Sequence, residues 1–171
     1  QAIKKFFDPL RLHCFLNILG DICIMMSGVV YHNPLRSIAA LSGASTHIVG
    51  IFFSKKKIFN VLMSDIVMSA VMFCGVLYML SGSNIFGFES TPRYTEILGG
   101  LCISAAAFSV IRQKSQLAPV LFTLGTTFFS FSAFEVWFVR GEVDWLVLMG
   151  SLMFYAAGFV SAFIKKESVV T

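Results

Sequence analysis

Two aspartates stand inside apolar segments, Asp21 within "NILGDI" (residues 17–22) and Asp65 within "VLMSDI" (residues 61–66). An ionised carboxylate in an apolar medium costs several kcal/mol unless it is paired or reached by water, so each of them needs a partner or a task. His47 sits in a further apolar segment, Asn17 lies one helical turn before Asp21, and Thr126 occupies a comparable place near the fifth segment's middle. Two carboxylates and an imidazole at one depth would suit a proton, a cation or a cationic substrate.

The elements that must carry these groups are long and apolar. Of the 171 residues 57% are hydrophobic and 13% charged, and the mean hydropathy of +0.82 is outside the range of a water-soluble domain. Apolar blocks run over 12–31, 35–53, 58–80, 96–111, 117–139 and 145–164. Most have about 20 residues, enough to cross a hydrocarbon core of about 30 Å. The expected fold is an all-α membrane protein, a single polytopic domain of six transmembrane helices in three hairpins, with the fourth span the shortest. The first block is too long for a signal-peptide core and no small-residue cleavage site follows it, so it reads as a retained helix. Residues could still precede Gln1, because the chain does not begin with methionine.

Orientation follows from the cations, since Lys and Arg beside the spans stay cytoplasmic during insertion. With both termini inside, the inner face carries Lys4, Lys5, Arg11, Lys55, Lys56, Lys57, Arg112, Lys114, Lys165 and Lys166, and the outer face Arg36, Arg93 and Arg140. Both termini are therefore expected in the cytoplasm, in a bacterial inner membrane or its equivalent. The net charge of +4 is a topology signal and gives no reason to expect a nucleic-acid partner.

The first helix of each pair shares a short core, "ILGDI" from Ile18, "LMSDI" from Leu62 and "TLGTT" from Thr123, and the second helices carry "ALSGA" from Ala40, "ILGGL" from Ile97 and "LMGSL" from Leu148. These matches suggest three related hairpins in parallel orientation. Small residues one turn apart, Gly100 with Ser104, Gly158 with Ala162 and Ala157 with Ser161, should let helices approach closely where lipid supplies little hydrophobic drive.

Asp65 lies eight residues from Lys57 and His47 eight from Lys55, roughly 12 Å along a helix, and Asp21 lies ten from Arg11, roughly 15 Å. All three are expected in the inner half of the bilayer. Asn17 and Asp21 share a face of the first helix, Gly43, His47 and Gly50 a face of the second, and Asp65 and Ser69 a face of the third. Near the outer boundary Glu135 is expected to pair with Arg140, and with Glu96, Glu142, Asp144 and Arg93 it could line an outer vestibule.

Other chemistry finds little support. The four cysteines, Cys14, Cys23, Cys74 and Cys102, show no CxxC spacing and read as free buried thiols. His13, Cys14, Asn17 and Asp21 fall close together, yet Cys14 points to another face and no second ligand pair is evident, so no metal site is expected. There is no P-loop, GxGxxG, GxSxG or HExxH, no cofactor is implied, and an enzyme is not expected. The leading expectation is a small transporter, or the membrane subunit of a transport system, with Asp21, Asp65 and His47 as the substrate or proton site and Asn17 and Thr126 in support. The alternative is a non-catalytic membrane subunit that docks other membrane subunits through its small-residue faces.

Overall fold

The structure, a computed structural model, describes residues 8–53 and 55–164. Lys4, Lys5, Lys165 and Lys166, which carry part of the charge asymmetry, lie outside the described residues. Among the described residues every regular element is helical: α1 (Pro9–Val30), α2 (Pro34–Phe52), α3 (Lys55–Leu62), α4 (Asp65–Ser83), α5 (Tyr94–Ile111), α6 (Ala118–Glu135), α7 (Trp137–Arg140) and α8 (Trp145–Ser161), with a short 3-10 turn at Ser115–Leu117. Five helical segments are long and apolar enough to cross a membrane, an architecture compatible with a helical membrane protein. The expected sixth, α8, is apolar but has 17 residues. It is shorter than α5, which has 18 and was expected to be the shortest.

The largest departure from the sequence pattern lies in the third block, which is divided between α3 and α4 instead of forming one helix over 58–80. Its physical cause is local. The Ser64 side chain accepts the Val67 amide at 3.3 Å as an N-cap, and Asp65 in the first turn adds negative charge where the helix dipole favours it. The Ser-Asp pair that looks like the middle of a span is a helix start.

Other helix starts are equally well specified. Asn33 caps α2 by accepting from the Arg36 amide at 3.3 Å, with Pro34 just inside, and Asp144 caps α8 by accepting from the Val147 amide at 3.2 Å. Proline in the first turn loses no intrahelical bond there. Asn84, with φ 52°, ends α4 in the left-handed region, which asparagine tolerates.

Packing closes the long helices into a ring in the order α1, α2, α4, α5, α6, α8 and back to α1. A repeated main-chain bond marks the turn of each consecutive pair. The amides of Asn33, Arg93 and Asp144, which stand immediately before α2, α5 and α8, donate to the carbonyls of Gly28, Gly82 and Ala133 at 2.7, 2.8 and 2.9 Å. Counting from these bonds, buried positions recur in threes: Gly20, Cys74 and Gly125; Asp21, Gly75 and Thr126; Ile24, Tyr78 and Phe129; Ser27, Ser81 and Ser132. On the following helices the sets are Arg36, Glu96 and Val147; Ala39, Gly99 and Gly150; Ala40, Gly100 and Ser151.

Two of the sequence matches need correction against this register. Asp21 does correspond to Thr126, but the third member is Gly75, and Asp65 lies ten residues earlier at the start of its helix. "ALSGA" is displaced by three residues, since Ala39 and Ala40 match Gly99 and Gly100. Short runs of Gly, Ser and Leu can be aligned in several registers, and only the turn bonds discriminate among them.

Ile24, Tyr78 and Phe129 fill the middle of the ring together with Ala39, Ala40, Leu77, Ala133 and Val147, the Tyr78 and Phe129 rings meeting at a centroid separation of 4.7 Å. The outward faces are apolar, with Phe138 88% and Ile66 83% exposed, as suits contact with lipid. Where α4 meets α5, a Cβ on Gly100 would stand 2.5 Å from the Gly75 carbonyl oxygen, so only glycine allows this approach. Gly158 has nothing within 4 Å of such a Cβ. Gly100→Leu should therefore cost upwards of about 1–3 kcal/mol and lower the thermal midpoint in detergent, while Gly158→Leu should leave it nearly unchanged. Equal midpoints would contradict the packing.

Candidate functional site

Polar side chains gather at two levels. At the end that carries the α1–α2, α4–α5 and α6–α8 turns, five charged groups form a connected network. The Arg36 guanidinium grips Glu96 through two bonds, Nε to Oε1 at 3.0 Å and Nη2 to Oε2 at 2.7 Å, and its Nη1 meets Glu89. Glu89 also accepts from Arg93 Nε at 3.0 Å, and Arg93 Nη1 reaches Asp144 Oδ2 at 2.8 Å. Serines complete the carboxylates: Ser81 donates to Glu96 at 2.7 Å and Ser27 to Asp144 at 2.6 Å. Both serines belong to the threefold set, as do Arg36 and Glu96, while Arg93 and Asp144 are the repeated turn donors.

Arg36 and Asp144 are each 1% exposed and Arg93 and Glu96 2%. Such a network is stable only because it is connected. Each ion would cost several kcal/mol in isolation, and the bidentate arginine geometry with added hydroxyl donors offsets that cost. Its effect is to tie α2, α5, the α4–α5 loop and the start of α8 at one end of the ring.

Of the groups expected to line an outer vestibule, Glu96, Arg93 and Asp144 are buried within this ionic layer, while Glu142 is exposed and accepts from the Tyr31 hydroxyl at 3.4 Å. Glu135 does not pair with Arg140: its oxygens accept the Thr95 amide at 3.3 and 3.4 Å, satisfying a free N–H in the first turn of α5. Arg140 is exposed and lies over the Tyr31 ring at 5.1 Å, with Arg93 over the same ring at 4.8 Å. The chain stays helical through Val136, and five residues along a helix turn the two side chains to different faces, Glu135 toward α5 and Arg140 toward α1. Arg93 Nη2 is buried without a hydrogen-bond partner, and the recess between Tyr31, Glu89, Arg93 and Arg140 is about the size of one water molecule.

The second level runs down α1 toward the opposite end. His13 Nδ1 donates to the Ala157 carbonyl at 2.9 Å, which leaves Nε2 to accept from Asn17 Nδ2 at 3.3 Å. Asn17 also donates to the His13 carbonyl at 3.0 Å. The His47 ring stands edge-on to His13, with centroids 5.9 Å apart, and His47 Nδ1 bonds the Gly43 carbonyl at 3.0 Å. One turn above Asn17 is Asp21, 5% exposed. Its carboxyl oxygens lie 3.0 and 3.1 Å from where a Cβ on Gly43 would be, so Gly43 provides the space they fill.

His47, Asn17 and Asp21 are therefore brought to one side of the bundle, with Gly43 between His47 and Asp21. Asp65 is exposed at the start of α4 and does not join them. Thr126 is buried on α6, bonded to the Phe122 carbonyl of its own helix at 2.9 Å, at the position equivalent to Asp21. Sequence reasoning gave His13 no part in this site, although its spacing from Asn17 and Asp21, four residues at each step, places all three on one face. It also missed the Arg36 pairing, for which no local sequence signal exists because the partners lie 60 residues apart. No family model, no curated protein and no solved structure matches this chain.

Arg36→Ala would leave Glu96 buried with its main partner gone, and about 3–5 kcal/mol of stability should be lost. Chemical denaturation in detergent would measure it, and added salt should alter the wild-type value little, because the pair is buried. A loss below about 1 kcal/mol, the scale of an exposed pair, would contradict this arrangement.

Proposed function

We propose that the chain is an integral membrane protein of six spans, formed as three related hairpins, with the Lys57 and Arg112 end in the cytoplasm, and that it acts as a small transporter or as the membrane subunit of a transport system. The observation that carries this reading is Asp21: a carboxyl in the interior of a long apolar helix, accepting no hydrogen bond among the described residues, at the head of a polar ladder of His13, Asn17 and His47. A purely structural carboxylate at this depth is expected to be paired, as Glu96 and Asp144 are. An unpaired one is ready to take a ligand, and intramembrane ionisable groups more often line transport pathways than serve packing.

The ladder supports access from the end that bears Lys57. The opposite end is closed first by Ile24, Tyr78 and Phe129 and then by the ionic layer around Arg36. Asp65, exposed and apart from the ladder, has no role in this reading. The docking alternative draws on one feature, the exposed Gly158, where no described residue lies within 4 Å of an added Cβ.

In proteoliposomes loaded with a pH-sensitive dye and challenged with a panel of monovalent cations and small amines, the wild type should give a signal with at least one of them. Asp21→Asn should abolish that signal, and Asp65→Asn should retain most of it. A signal of equal size in wild type and Asp21→Asn would sink the transport assignment of Asp21.

A further inference from the structure

The threefold register exposes an asymmetry around Asp21. Where α5 meets α6, the Ile103 side chain lies 3.3 Å from where a Cβ on Gly125 would be, and where α8 meets α1, Phe154 presses against Gly20 at 2.7 Å by the same measure. Ile103 and Phe154 each lie ten residues beyond the turn donor of their helix, Arg93 or Asp144. The residue ten beyond Asn33 is Gly43. At the third junction, between α2 and α4, the bulky side chain is missing, and the Asp21 carboxyl stands against Gly43 in its place.

The groups around this carboxyl are specific. From α4 come Cys74 and Tyr78, both within electrostatic reach of Asp21, and the Tyr78 hydroxyl is buried without a hydrogen-bond partner. From α2 come Gly43 and, one turn further, His47; from α1 itself, Asn17 and then His13; from α8, the Phe154 ring beside Gly20. None is a lysine or an arginine, so among the described residues no fixed positive charge faces Asp21. A metal cation such as calcium would want six to eight oxygens, far more than one carboxyl and one phenol provide.

A proton needs only one. We propose that Asp21 is a proton-binding site, loaded from the Lys57 end of the bundle past His47, His13 and Asn17, and shut off from the turn end by Ile24, Tyr78 and Phe129. Loading forms one O–H bond on the carboxylate with a proton taken from water, and unloading returns it, so charge balances in each direction. This inference rests on the transport reading and names its coupling ion.

The test uses infrared difference spectroscopy of the full chain, inserted in one orientation in proteoliposomes, with the pH stepped separately on each side. The carbonyl stretch of a protonated carboxyl should rise and fall with pH on the Lys57 side alone. It should vanish in Asp21→Asn and shift in frequency in Asp21→Glu, and the second variant makes the assignment if the first fails to fold. An Asp21 band that ignores pH on both sides, one that follows the turn side, or the absence of any such band overturns the proposal. The dye assay is a separate readout: loss of flux in Asp21→Asn with a fixed band would keep the transport reading and remove the proton, whereas a titrating band with normal flux would do the reverse.

Discussion

The Arg36 guanidinium is the constraint on which the closed ring depends. It sits in the first turn of α2, buried, and cannot lose its charge. It must therefore be met by carboxylates from elsewhere in the chain, and Glu96 on α5 and Glu89 in the preceding loop meet it. Because Glu89 also binds Arg93 and Arg93 binds Asp144, satisfying one cation fixes the relative positions of parts of the chain that are remote in sequence. Helix packing in lipid is weakly directional on its own. A buried ionic layer at one end supplies the register that apolar surfaces alone would leave loose.

Repetition explains how the rest of the ring is built, and departure from repetition explains where it is specialised. The turn bonds from Asn33, Arg93 and Asp144 are alike, and Ser27, Ser81 and Ser132 are buried at the same level below them. The chemistry placed on this frame differs from one third to the next. Position 36 and its equivalents hold Arg, Glu and Val, so the layer is asymmetric, and Ser132, with no carboxylate beside it, bonds the Phe129 carbonyl of its own helix. Position 21 and its equivalents hold Asp, Gly and Thr. The carboxyl appears only in the third whose following helix has glycine at position 43, where the other two have Ile103 and Phe154.

Much of this was legible in the sequence and some was not, for identifiable reasons. Helical character and apolar length are written in composition, and the small residues at Gly100 and Ser104 do lie against α4. Asp21, Asn17 and His47 could be found because polar groups stand out in apolar helices, and a 3.6-residue period places Asn17 and Asp21 on one face. Asp65 stood out equally, but its context is decided by Ser64, a helix cap that a reading of hydropathy passes over. The ionic layer depends on which helix ends come together, and pairs such as Arg36 with Glu96 or Arg93 with Asp144 have no local signature. Glu135 and Arg140 illustrate the opposite error: nearness in sequence suggested a pair, but five residues of continuous helix turn the two side chains to different faces.

On the proposed reading, water reaches the polar ladder from the Lys57 end and is kept out at the turn end. Cysteine accessibility to a membrane-impermeant thiol reagent, applied to either face of oriented vesicles in a background lacking the four native cysteines, tests it most directly. Position 17, on the ladder, is compared with position 132, below the ionic layer, where serine bonds only its own helix. Asn17→Cys should be modified from the Lys57 side and Ser132→Cys from neither. Modification of Ser132→Cys from the turn side, or of Asn17→Cys from that side, would contradict it.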